Sequence, residues 1–128
     1  MRVECSKCER AIQLAQPYPY AAGMSDVSFA YHETLPAVLV IPRRDERWTE
    51  LTGGCFAHDA SAAQLKRVED ALMPYHMGGH FRFDAKPRCP LCNAEFEQTP
   101  WPAGFYVCFG EMIDSTTHSV WEFEHDEP

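Results

Sequence analysis

Hydrophobic and polar positions alternate most clearly over residues 27–33, "VSFAYHE", where Val27, Phe29 and Tyr31 interleave with Ser28, Ala30 and His32. A period of two marks a half-buried strand. The next run, "PAVLVIP" at 36–42, is continuously apolar, rich in β-branched residues and fenced by Pro36 and Pro42. That pattern predicts a central, buried strand. Over 61–73 the spacing changes to that of a helix, with Leu65, Val68 and Leu72 on one stripe. Ser61 and Gln64 form a capping box, Asp59 adds negative charge at the N-terminal end, and Pro74 disfavours helical geometry at Met73.

Shorter patterns fill in the rest. "AIQL" after the first cysteine pair and "GGHFRFD" at 78–84 read as short strands, the second entered through a turn. "GFYVCFGEMI" at 104–113 and "SVWEFE" at 119–124 read as two strands joined by "DSTTH". In the last of these Trp121 and Phe123 alternate with Val120, Glu122 and Glu124, giving one aromatic and one acidic face. "QPYPYAAG" at 16–23 is a Pro/Gly loop, and "RRDER" (Arg43, Arg44 and Arg47 interrupted by Asp45 and Glu46) reads as a solvated loop. Strands, one main helix, then strands imply an α+β fold with an antiparallel sheet.

Composition bounds this picture. The chain has 128 residues, 45% of them hydrophobic, which suits one globular domain. Its net charge is −8, with Glu122, Glu124, Asp126 and Glu127 crowded near the end. Such a chain repels phosphate backbones, so a nucleic-acid partner is disfavoured and a basic protein partner is favoured. The start, "MRVECSKCERAI", lacks the apolar segment of a secretion signal, and the longest apolar run, "AVLVI", is far short of a membrane span. Six cysteines in such a chain point to reduced thiols and metal rather than disulfides, and to the cytosol.

The cysteine spacing carries the chemistry. Cys5-Ser-Lys-Cys8 and Cys89-Pro-Leu-Cys92 are two C-x-x-C pairs, and each can fold into a knuckle that aims two sulfurs at one point. Two facing knuckles supply a tetrahedral set of four thiolates suited to Zn²⁺. Lys7, Arg10 and Arg88 lie beside the pairs and would balance part of the negative charge. The pairs are 80 residues apart, so 17–83 must be a folded insertion whose ends return to a ribbon formed by 1–16 and 84–98. Loop-closure entropy grows only logarithmically with length and permits this. Iron fits the same four ligands. A redox C-x-x-C of thioredoxin type would need a helix directly after the motif, and neither pair has one predicted.

"RCPLCNAEF" resembles the second knuckle and outgoing strand of zinc ribbons of the rubredoxin-like group. The resemblance covers about the first 15 residues and 86–97, and it implies a metal and a local shape, not an activity. Ribbons usually carry Gly after the second cysteine; here Asn93 and Glu9 stand there. "GGHFRFDAKPRCPLC" is also similar to segments of small bacterial proteins in which Gly-Gly precedes a Cys-Pro-x-Cys knuckle.

A second set has looser spacing. Cys55 and His58 form C-x-x-H, and His76 and His80 form H-x-x-x-H, on either side of the predicted helix. They offer a second Cys-His₃ metal site or, with Asp59, the residue types of a cysteine enzyme. The same residues serve equally as caps, hydrogen-bonding groups or surface. Cys55 and Cys108 read first as buried thiols. No phosphate loop, dinucleotide fingerprint, H-E-x-x-H or nucleophile elbow is present. The leading expectation is therefore a non-enzymatic, zinc-stapled protein that acts on a protein partner, in its most specific form an inhibitor or immunity protein against a basic target. An exposed aromatic patch at Trp121 and Phe123, or at Trp101 between two prolines, would be its contact surface. The alternatives are a metal- or cysteine-dependent enzyme at Cys55, His58, His76 and His80, and a nucleic-acid-binding ribbon.

Overall fold

A computed structural model describes residues 2–13, 27–56, 59–96 and 111–122. A hairpin of β1 (Arg2–Glu4) and β2 (Ala11–Gln13) opens the chain, paired with Val3 opposite Ile12. The main sheet follows: β3 (Val27–His32), β4 (Ala37–Pro42), β5 (Phe81–Arg82) and β6 (Glu111–Asp114), in the order β5-β3-β4-β6. Two helices lie between β4 and β5, α1 (Glu46–Thr52) and α2 (Ala62–Asp70).

The α+β class holds, with two adjustments. The sheet is mixed: β3 runs antiparallel to β4 and β5, but β6 lies parallel to β4, with Leu39 opposite Ile113. A parallel neighbour needs a long crossover, and both helices and the second cysteine pair lie in the stretch between β4 and β6. Every residue of β4 is buried, as its unbroken apolar run predicts.

The second adjustment is α1. Asp45, placed by sequence in a solvated loop, is 6% exposed and caps this helix, accepting the amide hydrogens of Arg47 (2.8 Å) and Trp48 (3.3 Å). Its carboxylate also accepts the Ser115 hydroxyl (2.5 Å) and the Trp121 indole N–H (3.2 Å). Four donors therefore satisfy a buried charge. The flanking Arg43, Arg44 and Glu46 are exposed as expected. Gly53 closes the helix in a left-handed conformation, φ 77°.

Helix α2 keeps the predicted capping box at Ser61 and Gln64 but ends at Asp70. The cause lies beyond Pro74. Met73 donates its amide hydrogen to the Val120 carbonyl (2.8 Å) and Glu122 donates to the Ala71 carbonyl (2.8 Å), so the chain leaves the helix to pair with the segment around Trp121. That segment forms a single bridge, Leu72 to Trp121.

One core joins the sheet to the helices: Leu39, Ile41, Trp48, Val68, Leu72, Phe81 and Ile113 are its larger members. The opposite sheet face carries Val27, Val38 and Val40, with Phe29 and Tyr31 beside them. A separate small cluster of Cys5, Ile12 and Cys89, with Phe96, lies under the two cysteine pairs. Among the described residues no helix is long and apolar enough to cross a membrane.

Candidate metal centre

Each cysteine pair sits in a turn between two short extended segments. In the first, Glu4 pairs with Ala11 at the base of the turn; in the second, Arg88 forms an isolated bridge with Glu95. The backbone bonding of the two turns then matches position for position. The Cys5 amide donates to the Arg10 carbonyl (3.0 Å), and the Cys89 amide to that of Ala94 (2.9 Å). Glu9 donates back to Cys5 (2.7 Å) and Asn93 to Cys89 (2.8 Å). The Lys7 amide points at Cys5 Sγ (3.4 Å), and the Leu91 amide at Cys89 Sγ (3.3 Å). Glu9 and Asn93 both adopt left-handed backbone, φ 62° and 66°, the conformation for which ribbons use glycine.

The turns face one another. Cys5 Sγ lies 3.7 Å from Cys92 Sγ, and Cys8 Sγ 3.9 Å from Cys89 Sγ. All four sulfurs fall within 4.8 Å of one another. A tetrahedron with metal–sulfur bonds of about 2.3 Å has edges of about 3.8 Å, so the spacing fits one four-coordinate ion. The donor chemistry agrees, since four thiols crowded together with no disulfide among the described cysteines need a cation if they are to ionise together.

The electrostatics of the pairs differ. Amide hydrogens of the turn favour the first pair's thiolates. For Cys5 the largest contribution is the Cys8 amide, which outweighs burial and lowers its pKa. At Cys8 the Arg10 amide, helped by the Arg10 side chain, lowers it to about 6. The Ala94 amide acts the same way on Cys92, but desolvation and the three neighbouring thiols overcome it and raise Cys92 to about 11. Cys5 and Cys89 are buried, whereas Cys92 is exposed.

The second turn is anchored to the main sheet. Asn93 Nδ2 donates to the Thr34 carbonyl (2.8 Å), and Arg88 Nη2 to the Glu33 carbonyl (3.3 Å). Arg88 also reaches the Asn93 carbonyl (2.9 Å) and Glu95 (3.2 Å). These bonds land on the turn between β3 and β4, which is held from within by His32. The His32 ring is 1% exposed, and its Nδ1 accepts the amide hydrogens of Thr34 (2.9 Å) and Leu35 (2.9 Å). That leaves the ring proton on Nε2, donated to the Gly78 carbonyl (2.6 Å). Gly79 fits against the ring only because it lacks a Cβ, which would lie 2.6 Å from two ring atoms.

Of the second candidate set, the described members Cys55, His76 and His80 do not form a group within metal-binding distance. Cys55 is half-buried, and its carbonyl accepts the Trp48 indole N–H (3.0 Å). His76 and His80 are exposed; His76 leans on Tyr75, and His80 lies 3.7 Å from Glu33. His58, Cys108, Trp101 and Phe123 lie outside the described residues. Among the described residues the four cysteines are the one group of three or more metal-ligating side chains within metal-binding distance. Trp121 is half-buried, with its indole N–H committed to Asp45.

Sequence reasoning passed over His32 and Asp45. Alternation put His32 on the face opposite Val27, Phe29 and Tyr31, and the structure buries that face as well; Gly78-Gly79 was a readable sign of close approach. For Asp45 the signal was an Asp before "ERWTELTGG", with Trp48, Leu51 and Thr52 at helical spacing and glycine after.

A family model described as "Domain of unknown function (DUF8255)" matches residues 1–98. The chain belongs to the DUF8255 family. No curated protein and no solved structure matches it. The DUF8255 match takes in both cysteine pairs, both helices and β1 to β5, while β6 and the Trp121 segment lie beyond it.

Proposed function

We propose that the four cysteines hold one structural Zn²⁺ and that the protein acts by binding another protein rather than by catalysis. The observation that carries the metal reading is the position-for-position match of the two turns across four converging sulfurs. A bound zinc would neutralise two of the four thiolate charges and clamp the β1–β2 hairpin to the segment around Cys89. All four tetrahedral positions would be taken by sulfur, which leaves none for water or substrate and argues for a structural role. Zinc suits such a closed thiolate set, and iron is ranked below it because the electron-transfer role of such sites usually goes with short, compact chains.

The partner reading rests on charge and on shape. A net charge of −8 favours a basic surface, as an inhibitor or immunity protein masking a basic target would meet. Leu91, at the tip of the second turn, is 47% exposed, and Met77 is 68% exposed; they supply apolar contacts beyond the charge. Capture of a basic partner from lysate by the zinc-loaded chain should weaken as salt rises through the range that screens surface charge. Salt-independent capture, or capture unaltered by Leu91→Glu, would count against this reading.

A further inference from the structure

We propose that the cavity between β6, the chain after α2 and the segment before Trp121 binds a small apolar molecule carrying a protonated amine. The cavity measures about 270 Å³. Leu39, Leu72, Phe81 and Ile113, all buried, line its depth, and half-buried Val120 closes one side. For scale, an apolar cavity of roughly 150 Å³ takes up benzene, so one aromatic ring with a short substituent fits here.

The rim specifies the head group. Tyr75 donates its hydroxyl hydrogen to Glu111 Oε1. Burial, followed by that bond and the Glu111 charge, pushes the Tyr75 phenol up to about 12, so it remains a neutral donor. The bond pins the Glu111 carboxylate at the mouth, and among the described residues no hydrogen bond occupies its other oxygen, which can accept a donor from the ligand. Glu111 is the one acidic side chain in the lining; His76 and His118 share the rim, with His118 Nδ1 turned to Thr117 Oγ1 (3.0 Å) and the Asp114 carbonyl (3.3 Å). A fixed carboxylate over an apolar pocket selects a cation with a hydrocarbon body and rejects the same body with a carboxylate head. The site uses none of the four cysteines and stands whether or not they bind metal.

The test uses the full chain and two probes of similar size and opposite charge, 2-phenylethylamine and phenylacetate, followed by amide NMR titration. The expected result is saturable shifts at Leu39, Phe81 and Ile113 with 2-phenylethylamine, at least about fivefold tighter than with phenylacetate. Glu111→Gln should weaken amine binding by roughly tenfold, the scale of one charge-assisted contact. Glu122→Gln, an exposed carboxylate outside the cavity, should leave it unchanged. Val120→Phe should abolish binding by filling the space. The surface change Glu111→Gln decides the matter even if Val120→Phe fails to fold. Absence of saturable shifts at the cavity residues, equal affinity for the two probes, or equal weakening by Glu111→Gln and Glu122→Gln would each overturn the proposal.

Discussion

The two cysteine turns have the same backbone and different supports. The second is bonded to the main sheet through Asn93 and Arg88, which reach the carbonyls of Thr34 and Glu33. The first has no such tie among the hydrogen bonds described. Its link across is Arg10 to the Leu91 carbonyl (3.5 Å), a bond to the other turn, together with the small apolar cluster around Ile12. Identical local geometry therefore conceals unequal support from the rest of the protein. Among the described residues the second turn is bonded to the main sheet, whereas the first meets the rest of the protein through Arg10, the small apolar cluster and the four converging sulfurs.

The largest effect should come from breaking the sulfur set itself. Cys89→Ser removes a buried ligand, and metal affinity should fall by more than about a hundredfold, beyond the range for losing an outer partner of a ligand. Chelation of the loaded protein should then expose amides 2–13 to hydrogen exchange while β3 and β4 stay protected. Equal loss of protection in both regions would show that the comparison is wrong.

Next is Gly79→Ala, aimed at the support of the second turn alone. Its Cβ would meet the His32 ring, and φ there is +82°. A loss on the order of 3 kcal/mol in global stability is expected, with metal stoichiometry unchanged. Denaturant unfolding of the loaded protein measures the first, and elemental analysis the second.

Acidity should report the thiols unequally. A ligand that is a thiol in the metal-free protein must release its proton on binding. Cys8, lowered to about 6, is already ionised at pH 7–8 and releases little. Cys92, raised to about 11, is still protonated there and releases one. Affinity should therefore rise with pH, by at least about tenfold per unit between pH 7 and 8. Competition against a chromophoric chelator gives the slope, and a flat profile would show that no ligand thiol is protonated in the metal-free protein.

The smallest effect separates the left-handed residues. Glu9→Gly relieves a side chain from an unfavourable backbone and should stabilise the loaded protein by about 0.5–1 kcal/mol. Asn93→Gly relieves less strain and loses the bond to Thr34, so it should destabilise by about 1 kcal/mol. The same sign for both, in paired unfolding curves, would remove the asymmetry.

Much of this was legible in the chain. The four cysteines were readable because thiolate spacing is local chemistry, and the bonding within each turn follows from the same few residues. β4 and the Ser61–Gln64 cap were readable for the same reason. The parallel placement of β6 was not, because the partner of a strand is decided by the path of the chain between β4 and β6. The end of α2 at Asp70 was hidden likewise, since the competitor for its last turn is the segment near Trp121. Asp45 was misread because a charged cluster resembles a solvated loop until its neighbours Ser115 and Trp121, far along the chain, are known. His32 was missed because its partners at Thr34, Leu35 and Gly78 make sense only once the turn has closed.

The central claim is that two turns, 80 residues apart in the chain, complete a single metal site. X-ray absorption at the zinc edge of the purified chain, combined with metal stoichiometry, tests it most directly. One zinc per chain with four sulfur neighbours at about 2.3 Å is the predicted result. A shell containing nitrogen from histidine, or protein that binds no metal with all thiols reduced, would contradict it.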